Sequence, residues 1–266
     1  MFYFCKPEMR TIVYILLAFL ITACNQEEKT ENPVDKQEKT ASIPDFAEAG
    51  VYENAVLEIN KDTSLIEVGS LSYINDNAEE KSAKALVDNK MTVKRVTLNE
   101  VFNGKKIETT FYYVKGKLLV SNQKTEVIDE KSGSLTEVRT YYDDQKRPLY
   151  TAKRSTTLDK NIEEAGFKEI QKTVHNEAMA LDIINQQGAF ATGFLGFLES
   201  GPRTFLVVGT ETYNASLMIG EFTPTLKKLK MNEKNYMNKP LKVEFQEVTE
   251  PNGFSYQGLI AVSLLP

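Results

Sequence analysis

"VKRVTLNEVFNGKKIETTFYYVKGKLLVSNQKTEVI", residues Val93 to Ile128, decides the architecture. Asn103-Gly104 separates two runs rich in Val, Thr, Phe and Tyr, and Asn-Gly is the strongest short hairpin signal because both positions tolerate positive φ. In the second run Ile107, Thr109, Phe111 and Tyr113 fall on one face at the two-residue period of a strand. Lys115-Gly116 turns the chain again, and "DEKSGS" (129–134) leads into "LTEVRTYY". Paired tyrosines recur in "TFYYVKGKLLVSNQK" and "RTYYDDQKRPLYTAK", as consecutive hairpins produce. The expectation is an antiparallel meander of about five strands. "SLIEVGSLSYI" at 64–74 adds a strand, and Asn77 to Glu80 reads as a capping box that opens a short helix to about Val87, with a loop as the alternative.

Downstream, Phe167, Ile170, Val174, Ala178, Leu181 and Ile184 recur at threes and fours. That spacing predicts one long amphipathic helix from Asp159 to Gln187, closed by Gly188, with Gly166 as a point where it kinks or breaks. A Gly-punctuated apolar stretch follows. Then come "RTFLVVGT", "YNASLMI", the Lys-rich "TLKKLKMNEKNYM", "PLKVEFQEV" and "FSYQGLIAVSLL". The order strand, strand, helix, strand, strand resembles a small OB-type barrel or a related β-roll. The fold class expected is α+β: a meander over 43–157, a long helix over 158–190 and a small OB-like β-domain over 191–266.

The chain has 266 residues, 41% hydrophobic and 26% charged, enough to bury a core. Its formal charge is −5, without the clustered basic residues that phosphate backbones demand, so no nucleic-acid partner is expected. Two cysteines, Cys5 and Cys24, both precede the globular part, which therefore has no disulfide framework and no thiol nucleophile of its own. His175 is the single histidine, too few for a zinc site built on several imidazoles. No metal and no cofactor is expected.

At the N-terminus Lys6 and Arg10 precede a mostly apolar run from Ile12 to Ala23, the layout of a secretory signal. Met9-Arg10 serves as well as Met1 for the start. A helix over that run covers about 18 Å, short of the ~30 Å hydrocarbon core. Ile21, Thr22, Ala23 and Cys24 resemble the lipobox of bacterial lipoproteins. The resemblance implies cleavage between Ala23 and Cys24, so that 1–23 is a signal peptide, and acylation of Cys24. The lipid bilayer is then the first partner, and more than one acyl chain is what stable attachment needs. Asn25, where Asp would retain an inner-membrane lipoprotein, implies outer-membrane delivery, and Glu27-Glu28 resembles a surface-export patch. Residues 24–42 carry little apolar side chain beyond Val34 and read as a disordered linker.

Candidate chemistry in the globular part is sparse. His175 lacks a GxSxG elbow or a zinc-helix motif in the sequence, and reads as a surface or helix-packing residue. Gly188 to Gly201 fails as a phosphate loop, because Phe194 and Leu195 stand after Gly193 where Lys and Ser or Thr belong. Phe190, Phe194 and Phe197 are instead candidates for an apolar contact surface. Asp143-Asp144 and Glu163-Glu164 are adjacent pairs that diverge on a strand or helix, and "DEKSGSLTE" places Lys131 where a calcium ligand belongs. Lys146, Arg147, Lys153, Arg154 and Lys227, Lys228, Lys230 offer basic surface for lipid headgroups or polysaccharide, or protect strand edges. The function expected is non-enzymatic binding, scaffolding or envelope maintenance, with an envelope protein or polysaccharide as partner. The alternative is a metal-independent hydrolase whose carboxylates are brought together by the fold.

Overall fold

The computed structural model describes residues 46–128 and 133–265. Helix α1 (Ala49–Lys61) precedes strands β1 (Ile66–Gly69), β2 (Tyr73–Ile74), β3 (Glu80–Val87), β4 (Val93–Phe102), β5 (Lys105–Val114), β6 (Lys117–Val127), β7 (Ser134–Tyr142) and β8 (Pro148–Thr157). After a 3-10 turn at Ile162–Glu164 come β9 (Lys168–Glu169), α2 (Glu177–Asn185) and a second 3-10 turn at Gly188–Phe190. The chain finishes with β10 (Gly193–Ser200), β11 (Arg203–Gly209), β12 (Asn214–Met218), α3 (Pro224–Met231), α4 (Glu233–Tyr236), β13 (Leu241–Thr249) and β14 (Ser255–Leu264). The class is α+β, mainly β. The signal segment, Ala23-Cys24 and the linker lie outside the described residues.

The meander is present as expected. Strands β3 to β8 pair antiparallel in sequence order, and the β4–β5 turn sits at Asn103-Gly104, both with positive φ (49° and 71°). Alternation along β5 sends Phe111 and Tyr113 to one face and Tyr112 to the other. On the Tyr112 face, α1 lays Tyr52, Val56 and Ile59, spaced i, i+4, i+7, over Tyr112, Val120, Tyr141 and Tyr150. On the opposite face α2 lays Ile183 and Ala180 into the larger core with Phe111, Tyr113 and Val96.

Three expectations are corrected. The helix over 159–187 is reduced to α2. Residues Lys168 and Glu169 pair with Lys153 and Ala152 of β8, and Thr173 N–H donates to Thr151 Oγ1, so the segment before Asn176 is extended along the sheet edge. Asn176 caps α2 by accepting from Ala178 N–H. The left-handed residue that closes α2 is Gln186, ahead of Gly188. The helix expected after Asn77 is strand β3, whose Ala83, Ala85 and Val87 are buried at period two. The apparent capping box is a turn in which Asn75 Oδ1 accepts from Asn77 and Glu79 N–H. Helix α1 was not anticipated.

The C-terminal strands make a ring of pairings. Strands β10, β11 and β12 are consecutive and antiparallel, β12 meets β14 in parallel at Met218↔Gly258, and β14 pairs antiparallel with β13. A bridge Gly193↔Pro240 brings the approach to β13 back beside the start of β10. The tight β11–β12 turn requires Gly209 (φ +149°), where a Cβ would lie 2.3 Å from the Tyr213 carbonyl oxygen. Asn214↔Ile74 joins β12 to β2, and Gln257 bonds Ser72 N–H and the Ser70 carbonyl. The boundaries expected at 157/158 and 190/191 thus fall within one compact unit.

Candidate functional site

Among the described residues, three places that bring polar or aromatic side chains together differ in access. The first surrounds His175. Ser121 Oγ lies 2.7 Å from His175 Nδ1 and 3.0 Å from Tyr142 Oη, and His175 N–H donates to Tyr142 Oη. Burial pushes the imidazole down to about 4, so it is neutral at pH 7. A serine hydroxyl against a neutral imidazole has the distance of a nucleophile and its base. Ser121 is 0% exposed, however, which denies a substrate carbonyl its Oγ. The cluster instead fastens the extended segment before α2 to β6 and β7, and His175 precedes the helix on which it was expected.

The second is a chain of charges beneath α1. Glu137, Arg139 and Tyr141 alternate onto one face of β7. Arg139 bonds Glu53 and Glu137, each at 2.8 Å. Arg154 bonds Glu137 at 2.6 Å and Glu163 at 2.7 Å, and Tyr141 Oη donates to Glu53 at 2.6 Å. Both guanidinium groups lie over the Phe167 ring, at 5.4 and 4.5 Å from its centre. Burial raises the Glu137 carboxyl, but Arg139 and Arg154 outweigh it and hold the group below its ordinary value. A glycosidase-type general acid needs the opposite, a raised carboxyl able to donate a proton. Glu53 and Glu137 are brought together by the fold, as the hydrolase alternative requires, yet in ion pairs that suit cross-bracing. Arg154, expected on a basic surface, is buried in this network.

The third is open to solvent, at the tip of the C-terminal strands. The turn Glu250–Phe254 is closed by Glu250 N–H to the Phe254 carbonyl and Gly253 N–H to the Glu250 carbonyl, with Gly253 at φ +85°. It presents Phe254, 43% exposed, beside Tyr256, with ring centres 5.8 Å apart. Arg203, just after the β10–β11 turn, bonds Glu250 at 2.7 Å and lies over the Phe254 ring at 4.8 Å. A cleft of about 480 Å³ adjoins the tip, lined by Ser72, Glu80, Ser216, Thr249, Ser255 and Tyr256 among others. Cross-strand register sets Leu198, Phe205 and Met218 in a row that ends at Gly258, which has no side chain.

The phenylalanines expected to form a contact surface belong largely to the core. Phe190 is 5% exposed and packs on Tyr73 and Tyr213, while Phe194 is 0% exposed against Phe197. Phe197 is half-buried beside Phe222 and Lys230. The partly exposed aromatics of the tip were missed, although "PNGFSY" carries the signal: a Pro-Asn-Gly turn followed by two aromatics one residue apart. Among the described residues no group of three or more His, Cys, Asp or Glu side chains is placed to hold a metal ion, and no helix is long and apolar enough to cross a membrane. No protein-family model matches the chain, and no curated protein matches it either.

Proposed function

We propose that the protein is an acylated outer-membrane lipoprotein, held by lipid on Cys24, whose folded part binds an envelope polysaccharide without transforming it. The lipobox-like Ile21-Thr22-Ala23-Cys24 supports the anchor. The observation that carries the binding role is the solvent-open tip, where Phe254 and Tyr256 offer ring faces beside a cleft edged by serine and threonine hydroxyls and by Glu80. Sugar rings present apolar C–H faces and many hydroxyls, and match a site of aromatic faces with a few polar groups.

We read the C-terminal strands as an OB-type barrel. In support, the ring β10–β11–β12–β14–β13 contains a parallel contact between its third and fifth strands and a helix between its third and fourth. Barrels of this type bind oligosaccharides and oligonucleotides on the second and third strands, between the first and last hairpin loops; in support, Arg203 follows the first of these loops, Phe254 belongs to the last, and Ser216 of the third strand lines the cleft.

Titration of the folded part with soluble peptidoglycan fragments and with lipopolysaccharide core oligosaccharide tests the reading. Binding to one of them, weakened about tenfold by Tyr256→Ala, is the expected result. Absence of binding to both, or binding indifferent to Tyr256→Ala and Phe254→Ala, contradicts it.

A further inference from the structure

A second cleft lies between two strand edges and shares Glu247 with the first. Its volume is about 360 Å³, and it is lined by Glu67, Gly69 and Lys84 on one side and by Val243 to Glu247 on the other. Among the described residues strand β1 pairs with β3 alone, and β13 pairs with β14 alone. Each therefore turns one edge to this cleft.

The register says which backbone groups face it. In an antiparallel ladder, alternate residues direct both N–H and C=O to the same neighbour, and those between direct both away. Ser70 N–H donates to the Ala83 carbonyl, so Ser70, Val68 and Ile66 face β3. Glu67 and Gly69 then face the cleft. On the other side Leu241 N–H donates to Thr192, away from β14, while the Pro240 carbonyl accepts from Leu265. The same alternation turns Val243, Phe245 and Glu247 outward; the bulge near Glu244 inserts its extra residue in β14 and leaves the count along β13 intact. Five residues thus aim main-chain donors and acceptors into one slot from opposite sides. The bonds that water makes to them are the ones an added strand would replace.

Charge selects the occupant. Glu67, Glu244 and Glu247 are all more than half exposed around the slot, three carboxylates against the two ammonium groups of Lys84 and of Lys242, which lies 3.5 Å from Glu244. Lys84 reaches across it, 3.3 Å from Glu67 and 3.9 Å from Glu247. We infer that the slot between β1 and β13 receives an extended, lysine- or arginine-bearing segment of a partner protein, which pairs with both edges as an inserted strand and whose cations take over the carboxylates that Lys84 spans. Strand β1 offers roughly 13 Å of edge, enough to fix a short segment in register. This site borders the saccharide cleft at Glu247 but rests on different observations, and stands if that reading fails.

The experiment uses the folded full chain and two capped peptides, Lys-Val-Lys-Val-Lys-Val-Lys and Glu-Val-Glu-Val-Glu-Val-Glu, followed by fluorescence anisotropy and residue-resolved amide hydrogen exchange. The lysine peptide is expected to bind at least about tenfold tighter than the glutamate peptide and to slow exchange at Glu67, Gly69, Val243, Phe245 and Glu247. Gly69→Pro removes one outward N–H at a position with no atom near a new Cβ, and is expected to weaken binding about tenfold without lowering the unfolding midpoint. Glu247→Lys, on an exposed side chain, is expected to weaken it through charge alone. Equal binding of the two peptides, binding unaffected by both variants, or no binding by either peptide would overturn the inference. So would slow exchange at the five amides in the chain alone, which would mean that the slot is already filled. A dimer that dissociates on Gly69→Pro would assign the slot to a second copy and overturn the partner segment.

Discussion

The two faces of the meander solve the same problem with different chemistry. Beneath α1, Glu53, Arg139, Glu137, Arg154 and Glu163 form a line of alternating charge that ends in a charge-assisted bond from Tyr141. On the other face Tyr142, the neighbour of Tyr141, meets Ser121 and His175 in a neutral cluster beside a larger apolar core. Adjacent residues of one strand thus end in an ionic and a neutral environment. The difference teaches that the α1 face tolerates no lone deletion, because each buried ion needs its partner, while the α2 face is sensitive to whether one imidazole stays uncharged.

Breaking the ionic face at its centre gives the largest effect. Glu137→Gln leaves Arg139 and Arg154 without their shared, fully buried carboxylate, and should cost about 3–5 kcal/mol in urea unfolding. The neutral face is broken by acid. The His175 imidazole is held at about 4 against an ordinary 6.5, so the unfolded chain takes up its proton first. The stability is complete above about pH 6.5 and declines as pH falls toward 4, by roughly 3 kcal/mol in all. His175→Asn should flatten the unfolding curve over that window. Glu137 titrates lower: its folded value lies below the ordinary one, so its contribution is present above about pH 4.5 and is lost only as pH falls through the folded value. Flattening between pH 6.5 and 4.5 by Glu137→Gln, and not by His175→Asn, would reverse the assignment of the two faces.

A finer comparison deletes one hydroxyl from each face. Tyr141→Phe removes a bond to a charged Glu53 and should cost about 2 kcal/mol, whereas Tyr142→Phe removes neutral bonds and should cost about 1 kcal/mol. Equal losses would show that the ionic character of the α1 face has no energetic weight. The smallest effect belongs to Lys117→Ala. It breaks a pair with Asp144 in which both side chains are more than half exposed, and should change the unfolding free energy by less than about 0.5 kcal/mol.

The meander was legible because its turns and its alternation are local. Asn103-Gly104, Lys115-Gly116 and the run Ile107 to Tyr113 need no distant partner to be recognised. The segment 159–176 was misread for the complementary reason. Phe167, Ile170 and Val174 have helical spacing, but Phe167 is held beneath two guanidinium groups and Thr173 and His175 are bonded to the sheet, contacts with residues far away in the sequence. Likewise, the sequence contains Glu137 and Arg154 without any sign that they meet. The phenylalanines of 190–197 look like a surface when the residues that cover them, Tyr73 and Tyr213 among them, are out of view. The slot between β1 and β13 joins edges nearly the whole folded chain apart, and no local pattern could have announced it.

The proposed point of attachment is Cys24, and the mass of the peptide Cys24–Lys29 from membrane-extracted protein, measured beside a Cys24→Ser variant, tests this most directly. A peptide that begins at Cys24 and carries acyl chains, absent from the variant, is the predicted result. An unmodified peptide, or one that continues upstream through Ala23, would contradict the anchor and release the folded part from the envelope setting in which its binding role is placed.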